Sequence, residues 1–327
     1  MIFGGGERMA AAFYYIIFNP AAGSGNAVDT LKAVRKVMND RAIEYEVRVS
    51  RYSGHTVQLA KQIGSFNDHP GAVVLVIGGD GTLNQTITGL KMTRQADLPV
   101  GYIPAGSGND FARGIGLPDD PMQALECVLS AEKPLVLDVG QYTEQTHQES
   151  GYFVNNVGIG YDGNTIAHSS HSQIKTFLNR FHLGKLSYFV TAVIVFFAQK
   201  PFTVIVYDQQ GRMEIIQNAF LVDATNHPYF GGGIRFMPGA VPTDGLLDLV
   251  VAEHPNWVAF LFYLIQMIRG KAHKYERVHY FKGTHLRLET AELEQGQMDG
   301  EEMGTRPFEL EFTVAKQNFW FNLPTKN

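Results

Sequence analysis

Short apolar runs that stop at glycine-rich turns constrain this chain more than any other feature. Phe13 to Phe18 runs into Asn19-Pro20-Ala21-Ala22-Gly23-Ser24-Gly25, and Ala72 to Ile77 into Gly78-Gly79-Asp80-Gly81-Thr82. Val100 to Ile103 runs into Pro104-Ala105-Gly106-Ser107-Gly108-Asn109-Asp110. Each turn stands where a parallel strand hands over to a helix, the place where α/β proteins offer bare N–H groups to phosphate. Val28, Leu31, Val34, Val37 and Met38 recur at helical spacing, which predicts a helix from Val28 to Met38. Helices are also expected over Thr56 to Ile63, Thr82 to Leu90 and Pro121 to Ala131, the last opening on proline. Tyr45, Val47 and Val49 alternate as a strand, and Leu135 to Val139 closes the series. Strand and helix in this alternation imply a parallel sheet covered on both faces.

After about Gly140 the texture changes. Thr143 to Ser150 reads as a turn. Strands are expected over Tyr152 to Ile159, Phe202 to Tyr207, Ala219 to Thr225 and Leu246 to Val251, then over Val278 to Lys282, His285 to Glu289 and Phe308 to Val314. Short, aromatic-rich strands spaced by turns predict an antiparallel sandwich or barrel. Two apolar helices, Leu186 to Ala198 and Trp257 to Ile268, are inserted in it. The expected fold is therefore an α/β domain over 1–138 and an all-β sandwich-like domain over 139–314, with 315–327 returning to the first.

Composition removes several classes of function. Of 327 residues, 45% are hydrophobic and 18% charged, enough for large cores and against global disorder. The formal net charge of −5 gives no support for a nucleic-acid partner. Cys127 is the single cysteine, so no internal disulfide forms, and a reducing cytoplasm fits best. No apolar run reaches the ~20 residues needed to cross a bilayer. The first residues lack a secretory pattern, and Met9 is an alternative initiator to Met1.

One glycine turn alone is weak evidence, and neither a dinucleotide fingerprint nor a phosphate-binding lysine loop is present. The ordered set is far more specific. Asn19-Pro20…Gly23, Gly78-Gly79-Asp80-Gly81-Thr82-Leu83-Asn84 and Gly106-Ser107-Gly108-Asn109-Asp110-Phe111-Ala112-Arg113 follow one another. In these motifs the chain resembles the diacylglycerol kinase catalytic family, in particular its soluble bacterial lipid kinases. The likeness runs from about Tyr15 to Phe321. It implies a nucleotide-binding α/β domain of the type shared with NAD kinases, a following β-sandwich domain, and an active site in the cleft between them.

The resemblance implies ATP as phosphoryl donor and Mg2+ as cofactor. By resemblance, Asn19, Gly79, Asp80, Gly81, Thr82, Leu83, Asn84, Gln85 and Ser107 line the ATP pocket. Asp80, Asp110 and Asp138 arrange the catalytic magnesium through water. Glycines admit a polyphosphate close to the backbone, Thr82 and Ser107 carry hydroxyl donors, and Arg113 can add charge. The family usually has threonine at Ser107 and glutamate at Gln85, a position that here carries no charge for a metal.

On the acceptor side, the family's Asp-Gly-Glu core stands as Asp299-Gly300-Glu301. A lipid hydroxyl is a poor nucleophile, so a carboxylate beside it can take its proton, and Asp299 and Glu301 both qualify. Met237 to Leu246 matches a second signature. There the resemblance assigns a structural magnesium to Asp244 with the carbonyls of Val241 and Leu246. The two apolar helices carry basic flanks, Lys175, Arg180 and Lys185 before one and Arg269, Lys271, Lys274 and Arg277 after the other. Such helices seat at an anionic lipid surface, or serve as core helices with solvated ends. The reading is a lipid kinase of the cytoplasm, peripheral at the inner membrane surface, with a lipid alcohol as substrate and a homodimer left open. Its rivals are a NAD kinase and a non-catalytic nucleotide- or lipid-binding regulator.

Overall fold

The computed structural model describes residues 11–25, 27–171, 193–237, 239–268 and 277–324. Among these the chain forms two compact units. Unit 1 holds the residues up to Asp138, the turn Gly231–Gly233 and the residues from Lys316 onward, and unit 2 holds Val139–Phe230 and Ile234–Ala315.

In unit 1, β1 (Phe13–Phe18), β2 (Tyr45–Val49), β3 (Ala72–Gly78) and β4 (Val100–Pro104) form a parallel sheet in the order β2-β1-β3-β4. Every residue of β3 is buried, which a strand achieves only with cover on both faces. That cover comes from α1 (Ala27–Asp40) with α5 (Pro121–Leu129), and from α2 (His55–Phe66) with α3 (Asp80–Lys91), each pair packed on itself and on the sheet. Asp120 caps α5, accepting the N–H groups of Met122 and Gln123 at 3.1 and 2.9 Å, with Pro121 in the first turn. A short helix, α4 (Asp110–Ile115), follows β4. The helix expected from Thr82 begins two residues earlier, at Asp80, with extended Gly79 at its N-cap.

The strand expected to end at Val139 continues as β5 (Leu135–Glu144) and turns into β6 (Glu149–Phe153). The polar stretch Thr143 to Ser150 turns at its four central residues, and two residues on each side extend the paired strands. The last strand of the chain, β17 (Glu309–Phe319), joins both units in sequence: Glu309–Thr313 pair within unit 2, and Phe319 lies parallel to Val100 in unit 1. Phe319, Trp320 and Phe321 are buried in unit 1, with the Phe319 ring 5.0 Å from Phe111.

Unit 2 is an antiparallel array. Besides β6 it contains β7 (Asn156–Gly160), β8 (Phe202–Tyr207), β9 (Met213–Thr225), the short pair β10 (Tyr229–Phe230) and β11 (Ile234–Arg235), and β12 (Leu247–Glu253). Then come β13 (Val278–Gly283), β14 (His285–Thr290), β15 (Glu294–Met298) and β16 (Glu301–Arg306). Long β9 changes partner along its length, from β8 at its start to β7 and β12 at its end. This exchange is how one strand serves two sheets of a sandwich. Two helices, α6 (Tyr161–His171) and α7 (Trp257–Ile268), are inserted, and residues 193–198 are helical. The rest of the helix expected over Leu186 to Ala198 lies outside the described residues, as do Lys175, Arg180, Lys185, Arg269, Lys271 and Lys274. No helix among the described residues is long and apolar enough to cross a membrane.

Candidate functional site

The glycine-rich turns of unit 1 touch one another, which explains their composition. A Cβ on Gly106 would lie 2.5 Å from Gly79 Cα, and one on Gly78 would lie 2.6 Å from Thr82 Oγ1. Asn19 Nδ2 donates to Thr82 Oγ1 at 3.2 Å, while its Oδ1 accepts the Ala21 N–H at 3.0 Å. The ends of β1, β3 and β4 are thus drawn together by one amide and two glycines. Of the residues assigned to the nucleotide, Leu83 and Asn84 are buried, Gln85 and Gly81 are half-buried, and Ser107 is exposed.

Asp80 braces the same turns. Its Oδ2 accepts the Asp110 N–H at 2.9 Å and its Oδ1 the Phe111 N–H at 3.3 Å, so it sits over the start of α4. Asp110 accepts the Gly232 N–H at 2.7 Å and Arg113 Nη1 at 2.6 Å. Burial nevertheless pushes the Asp110 carboxyl above its ordinary range. Arg113 is accordingly engaged with Asp110 and with the Gly108 carbonyl at 3.1 Å. A Cβ on Gly108 would lie 3.6 Å from Asp80 Oδ2 and 3.8 Å from Asp110 Oδ2, so both carboxylates border that glycine. Burial, with Asp80 nearby, pushes the Tyr102 phenol well above its ordinary range and keeps it an O–H donor. Asp138 is fully buried and ion-paired with Lys316. Among the described residues no three carboxylate, histidine or cysteine side chains are placed to hold one metal ion directly. Two carboxylates beside a glycine turn suit a magnesium ion that keeps its water shell and arrives with phosphate.

In unit 2, Asp299 and Gly300 form the two-residue turn between β15 and β16, with φ of 49° and 86°. Positive φ at both positions is the geometry that favours Asp-Gly in tight hairpins. Asp299 also works through its side chain. Its carboxylate accepts the N–H groups of Val154, Asn155 and Asn156 at 2.8, 2.8 and 3.0 Å. Those bonds break the single strand expected over Tyr152 to Ile159 into β6 and β7, because their donors turn toward Asp299. Glu301, the other base candidate, is exposed at the start of β16.

Behind this turn lies a buried polar network. Asn156 Nδ2 donates to Asp223 Oδ1 at 2.6 Å, and Gln297 Nε2 to Asp162 Oδ2 at 2.5 Å. Burial raises the Asp162 carboxyl to about 6. Burial, with Asp162 and Asp299 nearby, raises that of Asp223 well above its ordinary range. Elsewhere in unit 2 an apolar cavity of about 820 Å³ is lined by Tyr161, Phe196, Phe220, Phe236, Phe260 and Tyr263, among others.

The profile of the diacylglycerol kinase catalytic domain matches residues 14–142, and that of the YegS C-terminal NAD kinase beta sandwich-like domain matches residues 155–316. Residues 14–142 thus carry the diacylglycerol kinase catalytic domain. YtlR of Bacillus subtilis strain 168, provisionally designated a lipid kinase, is 28% identical over 300 residues, which cover 91% of this chain and 96% of YtlR. The diacylglycerol kinase of the same strain is 28% identical over 303 residues, covering 90% of this chain and 91% of its own. A crystal structure of a provisionally designated diacylglycerol kinase from Bacillus anthracis str. Sterne matches with a TM-score of 0.72 at 23% identity. That match spans 98% of this chain and 99% of the other, and it shows a shared fold.

The glycine turns, Asp80 and Asp110 fall within the catalytic-domain match, and Asp299-Gly300-Glu301 within the YegS-type match. Several residues that build these turns were not singled out from sequence. Asn109, at φ 54°, closes the third turn by accepting the Gly106 N–H at 2.9 Å and donating to its carbonyl at 3.2 Å. Asparagine after glycine in a turn is a legible sign of positive φ. Gly232 and Lys316 carried no such sign, since their partners lie 122 and 178 residues away.

Proposed function

We propose that the protein is an ATP- and Mg2+-dependent lipid kinase whose acceptor is the hydroxyl of diacylglycerol or a similar lipid alcohol. The observation that carries this reading is the joining of two glycine turns through Gly79, Gly106 and the Asp80 brace. It gathers close-approach backbone and two carboxylates at the ends of parallel strands, where a polyphosphate is held. In the reaction the lipid oxygen bonds to the γ-phosphorus and the bond from that phosphorus to the β–γ bridging oxygen breaks. ADP leaves, and the hydroxyl proton passes to a carboxylate of the Asp299-Gly300-Glu301 turn. Bound Mg2+ offsets negative charge on the phosphate oxygens, and Asp80 and Asp110 are the residues that would hold its waters.

The lipid acceptor is supported by the aromatic cavity of unit 2 and by the surface of α7. Trp257, Val258, Phe262 and Ile265 of α7 are exposed, a set of apolar side chains suited to transient contact with a membrane surface. We place the protein in the cytoplasm, peripheral to the inner membrane face.

Magnesium-dependent ADP release, measured with mixed micelles of several lipid alcohols, with NAD and without acceptor, tests the proposal. Release that requires diacylglycerol and is lost in Asp80→Ala supports it. Stimulation by another lipid alone moves the acceptor assignment, and turnover on NAD but on no lipid overturns it.

A further inference from the structure

The turn between β11 and β12 is where the resemblance assigns a structural magnesium, to Asp244 and the carbonyls of Val241 and Leu246. In this chain a different cation serves the same carboxylate. Lys282 of β13 lies directly opposite Asp248 of β12 in the antiparallel register. Its Nζ is 2.9 Å from Asp244 Oδ2, 3.3 Å from Asp248 Oδ2 and 3.5 Å from the Gly239 carbonyl oxygen. Asp248 is buried, and its Oδ2 has no hydrogen bond of ordinary geometry, so the ammonium is its compensating charge. The turn uses its other groups internally. Asp244 Oδ1 accepts the Leu246 N–H at 3.0 Å, and the Val241 carbonyl accepts the Asp244 N–H at 3.4 Å.

This arrangement does not fit a resident divalent ion. Magnesium demands oxygen ligands at about 2.0–2.1 Å in near-octahedral order. An ammonium instead carries three donors and is satisfied by acceptors at ordinary hydrogen-bond distances. A divalent ion on Asp244 would also face the positive charge of Lys282.

We propose that Lys282 is a built-in counter-ion that takes the place of the structural metal, so that the turn from Gly239 to Asp248 is held without a divalent cation. The selectivity is electrostatic: the two carboxylates share one strand-borne ammonium, fixed in register with Asp248.

Thermal unfolding of the full chain, without nucleotide, in EDTA and in millimolar Mg2+, tests this. The Mg2+ response of the wild type should equal that of Asp244→Asn. Lys282→Met should lower Tm by on the order of 5 °C in EDTA, because buried Asp248 loses the ammonium beside it. Lys282→Arg, which keeps the charge, should recover most of that loss. A wild-type Tm that falls in EDTA, recovers in Mg2+ and loses this response in Asp244→Asn overturns the proposal. An unchanged Tm in Lys282→Met overturns it as well.

Discussion

Asp299 and Glu301 show how two carboxylates in one turn take different roles. Asp299 is buried and accepts three backbone N–H groups, so its carboxylate organises the entry to β7. Glu301 is exposed two residues on and is the more accessible of the two to an acceptor hydroxyl. Asp299→Asn replaces one acceptor oxygen with a donor facing N–H groups, and should cost on the order of 3 kcal/mol of stability along with turnover. Glu301→Gln should leave the melting temperature within about 1 °C of wild type while lowering kcat by about 10²–10⁴-fold. Thermal melts and steady-state ADP release on the two variants check this. Equal loss of stability in both would remove the distinction.

At the scale of elements, close approach explains the glycines that no turn requires. Gly89 lies inside α3, yet a Cβ there would sit 2.4 Å from the Val57 carbonyl oxygen and 2.7 Å from Ala60 Cβ of α2. The helices meet backbone to backbone at this point, and Gly89→Ala should destabilise unit 1 by about 1–3 kcal/mol, read from urea unfolding. In unit 2, α6, β7, β9 and β15 meet through Asp162, Asn156, Asp223 and Gln297. Burial lifts Asp162 from 3.8 to about 6, so the folded state keeps a proton that the unfolded chain releases. Its contribution is complete below about pH 4 and is lost as pH rises through about 6. Melting curves across this range should fall with rising pH in the wild type and flatten in Asp162→Asn. A slope unchanged by the substitution would mean that the proton lies elsewhere.

For the whole molecule, net charge and surface chemistry pull in different directions. A chain of net charge −5 gains little from an anionic lipid surface by overall attraction, so contact rests on local apolar side chains. Exposed Phe262 on α7 is one of these. Phe262→Glu should weaken sedimentation with anionic vesicles by about tenfold, the loss of one buried aromatic, while leaving the melting temperature unchanged. Undiminished vesicle binding would assign the surface contact to another face.

Much of the α/β unit was legible from sequence because its signals are local. A buried parallel strand is a continuous apolar run, a covering helix repeats every three to four residues, and a phosphate-type turn announces itself in glycine. The family, too, follows from motifs contiguous in the chain. The β-rich unit was less legible. The β15 and β16 segments, Glu294–Met298 and Glu301–Arg306, are polar, and nothing but their pairing with each other and with β7 marks them as strands. Tyr152 to Ile159 reads as one strand until Asp299, over 140 residues away, takes its central N–H groups. Sequence alone determined the order of strands and helices in the first unit and which turns carry glycine. Tertiary structure alone decided that Asp138 meets Lys316, that Asp244 meets Lys282 and that Asp299 fixes β7, because a charge chooses its partner by proximity in space and leaves no periodicity in the chain.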